Sequence, residues 1–222
     1  MATRRKPKTK KAPRQSRPSS RTAVEAPRRA ARGRSQFTEA LESVARFLKA
    51  TGFAGAVIGG VAVIARGFAR STIDIDATVA APIDEVGSLV KVAATVGLTP
   101  RITGAQRFAK ENLVLLLRHQ ATGVPVDVSL AQQAFEIEAA NQAEEISFDG
   151  VLIPVPSLTA LLIYKLVAGR PQDIRDVEAL LSTRGRFDAD VIERTLTEFD
   201  QILETSRLDE FHVLLGARAA RR

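Results

Sequence analysis

Residues 57–79 read VIGGVAVIARGFARSTIDIDATV, and the rest of the chain is judged by whether it completes or contradicts this stretch. The apolar run at 54–58 predicts a short buried strand. Gly59-Gly60 then turn the backbone into a helical segment over 61–65, and 73–79 predicts a second strand. Strand side chains alternate faces, so Ile73 and Ile75 are expected in the core while Asp74 and Asp76 emerge together on the other side. Same-face positions lie roughly 6.5–7 Å apart at the backbone, near enough for both carboxylates to reach the same ions.

Composition narrows what such a pair can hold. The chain has no cysteine and only His119 and His212, so thiolate zinc and histidine-rich centres are excluded. A bound metal must take oxygen ligands, which points to magnesium, manganese or calcium. Absent disulfides also fit a reducing compartment, and a cytoplasmic location is expected. A third acid is needed from a neighbouring strand. The alternation Val124-Pro125-Val126-Asp127-Val128 supplies it, with the valines inward and Asp127 outward. Glycines after a buried strand let backbone approach a phosphate closely, and a following helix offers free N–H groups to an anion. A metal-bound triphosphate would fit between Gly59-Gly60 and the acids. Taken singly, each piece has a plainer reading: Gly-Gly is often just a turn, and Asp-x-Asp on a strand is often a solvated face. Their order along the chain carries the weight.

Outward from this centre, an amphipathic helix is predicted from Phe37, Leu41, Val44 and Leu48, capped by Ser35 and ending near Gly52. Pro82 opens a helix over 83–96, closed by Gly97. Strands at 113–119 and 124–130 form a hairpin, a helix follows at 132–142, and Asp149-Gly150 marks a second hairpin within 145–155. Helices are then predicted at 158–168 behind Ser157, 172–182 behind Pro171 and 189–203 behind Asp188, with one more over 207–216. Strands concentrated in 54–155 and helices after 156 give an α/β (α+β) class, a mixed-sheet core with a C-terminal helical region. The expected divisions are a tail at 1–34, the core at 35–155 and the helical region at 156–222.

The net charge of +7 conceals an asymmetry. Residues 1–34 hold 13 Lys and Arg against one acid, Glu25, whereas the remainder holds 19 basic and 24 acidic residues. Lacking large apolar side chains, the tail is expected to be disordered, and neither a secretory signal nor a transit peptide. It reads as a solubilising arm or as an electrostatic attachment to a polyanion such as RNA, although no aromatic residue interleaves its charges. The longest uncharged run, 50–65, has 16 residues and is broken by the glycine pair, so no membrane span is expected.

The ordered set resembles the nucleotidyltransferase superfamily related to DNA polymerase β, whose signature is a hydrophobic strand, Gly-Gly or Gly-Ser, a spacer and Asp-x-Asp. Arg70-Ser71-Thr72-Ile73-Asp74-Ile75-Asp76 is especially similar to the Arg-x-Thr-x-Asp-Ile-Asp form of AbiEii-type toxins of type IV toxin–antitoxin systems. LLIYKLVA at 161–168 and RPQDIRDVEALL at 170–181 resemble that group's Lys-containing helix and its Arg/Asp-x-x-Asp segment. This chain has Gly59-Gly60 where many toxins have Gly-Ser, and Gln172 where a Lys often precedes the first Asp.

The resemblance covers about 53–182 and implies two Mg²⁺ or Mn²⁺ ions on Asp74, Asp76 and Asp127. It also implies nucleoside triphosphate contacts from Gly59, Gly60, Arg70, Thr72 and Lys165. Arg70 would reach a phosphate or merely a carbonyl. Lys165 breaks an otherwise apolar helix face, which suggests a purpose. Asp173 would activate the acceptor or bind nucleotide, while Asp173 and Asp176 also suit a helix start electrostatically. The implied reaction moves a nucleoside monophosphate to an acceptor hydroxyl and releases pyrophosphate. RNA, tRNA above all, is the expected acceptor through the basic tail, and a cognate antitoxin is an expected partner. The competing acceptors are a protein side chain and a small molecule such as an aminoglycoside. A different class of function is a non-catalytic RNA- or partner-binding module on the same fold.

Overall fold

The computed structural model describes Met1, residues 35–183 and residues 185–220. The expectation of a disordered tail therefore lies outside the described residues.

The first helix, α1 (Gln36–Ala50), starts where its cap predicts: the Ser35 side chain accepts from the Thr38 N–H at 3.0 Å. Its Leu41, Val44, Phe47 and Leu48 are buried, the single apolar stripe that the spacing implied. Then come β1 (Gly55–Val57), α2 (Gly59–Ala65) and β2 (Ile75–Val79). A 3₁₀ turn at Ile83–Glu85 leads into α3 (Val86–Thr95). Next along the chain are β3 (Leu98–Pro100), α4 (Ala105–Asn112), β4 (Val114–His119) and β5 (Pro125–Leu130).

These five strands form one mixed sheet in the order β1-β2-β5-β4-β3, with β2 and β5 parallel and the other neighbours antiparallel. Ile75, Ala77 and Val79 of β2 and Val126, Val128 and Leu130 of β5 are buried in the same core as α1 and α3. Burying one such large aliphatic side chain stabilises by about 1.5–3 kcal/mol, which fixes the register. A slip of one residue would put Asp76 and Asp127 into the core.

Beyond the sheet, α5 (Ala134–Asn141) precedes a separate hairpin of β6 (Glu144–Phe148) and β7 (Val151–Val155). Asp149 and Gly150 take φ of 51° and 83° at its turn, the left-handed pair that a tight hairpin needs. The Thr38 hydroxyl donates to Asp149 Oδ2 at 2.9 Å and ties the hairpin to α1. The C-terminal part is helical: α6 (Leu158–Ala168), α7 (Pro171–Ser182), α8 (Ala189–Leu203) and α9 (Arg207–Ala220). Leu161, Leu162, Ile163 and Leu166 bury α6 on nearly every side. Val177 and Leu180 of α7, Ile192 and Leu196 of α8 and Phe211 of α9 belong to the same core.

Three sequence expectations change. Ile73 is 82% exposed, because β2 begins only at Ile75 and Asp74 stands in the bend before it. Gly59 and Gly60 are the first residues of α2 rather than a turn ahead of it. The short β3 and α4 had no predicted counterpart; α4 carries few large apolar residues and sits between left-handed Gly104 and Leu113.

Candidate active site

The centre of the site is where β1 hands over to α2 beside β2. The Ile58 N–H donates to the Asp76 carbonyl at 2.9 Å, locking the end of β1 against the acidic strand. Gly59 has φ of 62°, and a Cβ there would stand 1.9 Å from Asp76 Oδ2. A Cβ on Gly60 would stand 2.8 Å from Thr72 Oγ1 and 3.4 Å from the Arg70 guanidinium carbon. Both glycines are thus demanded by the protein's own site residues, independently of any ligand. At seven residues, α2 is too short for a large helix dipole, so its contribution is close backbone approach.

Asp76 and Asp127 are direct partners in the parallel pairing of β2 with β5. Neighbouring strands lie about 4.8 Å apart, which brings the two carboxylates side by side on the half-buried face. Asp74 joins them from the bend, its carboxylate and carbonyl accepting from the Thr72 hydroxyl at 3.1 and 3.2 Å. Burial raises the Asp76 carboxyl above the usual carboxylate range, and the charges of Asp74 and Asp127 push the same way against Lys165 and Arg170. Burial also raises Asp127. The adjacent Arg101 opposes that rise, and Asp74 adds to it.

The opposite wall comes from the helical region. Lys165 of α6 is buried, and its Nζ lies 2.9 Å from both Asp173 Oδ1 and Asp176 Oδ2. Arg170 Nε donates to Asp173 Oδ2 at 2.6 Å, Arg70 Nη1 to Asp176 Oδ2 at 2.6 Å, and Gln172 Nε2 to Asp176 Oδ1 at 3.1 Å. Arg70 also touches a carbonyl, that of Ser71, at 3.2 Å. This network joins the loop before β2 to both helices. Burial works to raise the Asp173 carboxyl, but hydrogen bonds from Arg170 and Lys165 outweigh it and hold it below its ordinary value.

The candidate catalytic, nucleotide-binding and metal-binding residues of the sequence meet in one cavity of about 460 Å³, and Asp176 lies outside its lining. Gly59, Gly60, Arg70, Thr72, Asp74, Asp76 and Asp127 line one side, and Lys165 and Asp173 line the other. Tyr164, Arg170 and Gln172 line it as well. Burial pushes the Tyr164 phenol well above its usual value, so it stays protonated. The residue that sequence reading missed is Arg101, whose Nη2 lies 2.6 Å from Asp127 Oδ1. No short motif contains it; only the pairing of β3 with β4 brings it within reach.

The donors around Asp74 and Asp76 are hard oxygens facing a polar cavity, which suits Mg²⁺ or Mn²⁺. Among the described residues, however, no group of three or more His, Cys, Asp or Glu side chains stands ready to hold a metal ion. One oxygen of Asp127, Oδ1, accepts from Arg101.

A mixed sheet bearing a glycine pair against Asp-x-Asp, with a third acid on the neighbouring strand, fits the nucleotidyltransferase signature that the sequence resembles. The model of the family described as "Nucleotidyltransferase of unknown function (DUF6036)" matches residues 38–216, and the chain belongs to that family. It is an enzyme of this kind. The fold is similar to that of the antibiotic-resistance factor ANT(2'')-Ia in solution, at 19% identity and a TM-score of 0.51, covering 80% of this chain and 96% of that one. It is also similar to the crystal structure of ANT(2'')-Ia in complex with adenylyl-2''-tobramycin, at 19% identity and a TM-score of 0.50, covering 73% and 95%. No curated protein matches the sequence.

Proposed function

We propose that the enzyme moves a nucleoside monophosphate from a nucleoside triphosphate, ATP among the candidates, to a hydroxyl of an RNA acceptor, releasing pyrophosphate. The observation that carries this reading is the single cavity joining Gly59-Gly60, the three aspartates and Lys165, which come from distant parts of the chain. Asp74 and Asp76 would hold divalent ions, Mg²⁺ or Mn²⁺, with Asp127 completing the acceptor side. Two such ions, when bound, supply charge neutralisation at the phosphates and a more acidic acceptor hydroxyl.

The protein's own groups do the rest. Gly59 and Gly60 let backbone approach the triphosphate, and Thr72 orients Asp74. Arg170, whose side chain is 75% exposed, has reach to spare for phosphate oxygens. Lys165 places a fixed positive charge at the cavity wall. Asp173, bound by two cations and kept ionised below its ordinary range, is a poor proton acceptor and serves to position Lys165 and Arg170. Arg70 braces the loop before β2 against α7 through Asp176.

RNA is favoured as acceptor by the 13 basic residues in positions 1–34. With the Arg-x-Thr-x-Asp-Ile-Asp pattern, this extends to an AbiEii-like toxin acting on tRNA and neutralised by a cognate antitoxin. The test incubates the full chain with each labelled nucleoside triphosphate, Mg²⁺ or Mn²⁺, and bulk tRNA, cell protein or an aminoglycoside in turn. Label on tRNA, lost in Asp76→Ala, is the expected result. Label on protein or aminoglycoside alone would replace the acceptor. No transfer to anything, with nucleotide binding equal in Asp76→Ala and wild type, would sink the catalytic reading in favour of a binding module.

A further inference from the structure

Arg101, Leu116, Asp127 and Asp76 form one transverse row across the sheet. The Arg101 N–H donates to the Leu116 carbonyl at 3.1 Å, extending the β3–β4 pairing by one position; Leu116 is paired with Asp127, and Asp127 with Asp76. Residues opposite one another share a face, so the Arg101 side chain starts on the acidic side, two strand spacings or about 9.5 Å of backbone from Asp127. It spans that gap to reach Asp127 Oδ1 at 2.6 Å. Arg101 lies outside the cavity lining, and the cations that do line it, Arg70, Lys165 and Arg170, are hydrogen-bonded to Asp173 or Asp176. Among the described residues, Arg101 is thus the cation in direct contact with the acidic trio.

We propose that Arg101 is an exchangeable internal counter-ion: it balances the charge of Asp127 and would yield that carboxylate to a divalent ion on the acceptor side. The inference rests on the metal-dependent reading given above. Three half-buried carboxylates within reach of one another repel, and a neighbouring guanidinium relieves part of this. The exchange has to be cheap, and the exposure shows that it is. The two side chains are 31% and 33% exposed, so the pair is solvent-screened and weak. Residues 101–104 are all exposed and Gly104 has open space around it, so the arginine can swing away without disturbing the core.

The experiment titrates Mn²⁺ into the full chain without nucleotide, reading free Mn²⁺ by electron paramagnetic resonance. Arg101→Ala and Arg101→Gln should each bind Mn²⁺ about fivefold more tightly, equivalent to about 1 kcal/mol, because the competitor is gone. Arg101→Lys should stay within about twofold of wild type, since it keeps the charge. In an Asp127→Asn background, Arg101→Ala should bring no gain. Equal or weaker Mn²⁺ binding by both folded Arg101 variants overturns the proposal while leaving the metal reading intact. The same gain in the Asp127→Asn background overturns it too, because a general change in surface charge would then explain the effect. If wild type and all variants bind no Mn²⁺, the metal reading fails and this proposal falls with it.

Discussion

Gly59 shows how tightly the site is determined atom by atom. A left-handed φ already disfavours any L side chain there, and the position a Cβ would occupy is taken by the Asp76 carboxylate. Gly59→Ala is expected to destabilise by about 1–3 kcal/mol and to lower transfer at least tenfold, because Asp76 must turn away. Urea midpoints and initial rates check this together, and a variant that keeps its rate would free Asp76 of the role given to it. Asp76 itself should show the opposite balance. Its carboxyl is raised by burial and by Asp74 and Asp127, so its charge opposes folding. A carboxyl whose folded pKa lies above its unfolded value favours folding at low pH, and that support is lost as pH rises through the folded value. Asp76→Asn is therefore expected to melt no lower than wild type at neutral pH, and about 2–4 °C higher for each kcal/mol of repulsion relieved. Transfer should fall by at least about 10²-fold. A lower melting temperature would show that the charge is already compensated.

Helices α6 and α7 carry a different kind of charge. Lys165, Asp173 and Asp176 are almost wholly buried, yet each finds partners, so the set stabilises only while complete. Lys165→Met leaves two buried carboxylates without their shared ammonium and should cost about 3–5 kcal/mol in urea unfolding. Adding Asp173→Asn should recover part of that loss, and a strictly additive double variant would deny the coupling. The pH dependence follows from Asp173, which is held below its ordinary value of 3.8. A carboxyl lowered on folding contributes stability above its unfolded pKa, and this is lost as pH falls from about that value through the folded one. Unfolding midpoints at pH 7 and pH 3 should therefore differ less in Asp173→Asn than in wild type. The helices themselves were legible because Ser157, Pro171 and Asp188 mark their starts and Gly169 stops α6 in the left-handed region. What Lys165 touches was not: the apolar run around it shows only that a charge is out of place.

Across the whole molecule, the sequence exposed what local periodicity and turn chemistry control and concealed what distant pairing controls. The acids of β2 and β5 were readable because alternation puts them outward. The neighbouring pairing that makes Asp76 and Asp127 partners is a parallel contact across more than 40 residues of intervening chain, and no local pattern reports it. Ile73 was misplaced for a related reason: alternation continues through the bend in the sequence, while hydrogen bonding begins only at Ile75. Arg101 went unread because its partner lies two strands away.

The segment that carries the positive charge is also separable in a test. Residues 34–222 form a compact unit by their own contacts, and from residue 35 on the chain has more acids than bases. Removing residues 1–34 should leave the thermal transition of that unit in place and retain nucleotide-dependent chemistry at the cavity. Affinity for tRNA should fall steeply at low salt and little at high salt, because counterion release scales with the number of phosphates neutralised. If about five basic residues contact phosphate, log affinity of the full chain should fall with log salt at a slope near −4, and the slope should flatten in the truncated chain. Filter binding from 50 to 300 mM salt reads this directly. Equal slopes for the two proteins would assign RNA attachment to the folded unit and return the tail to a solubilising arm.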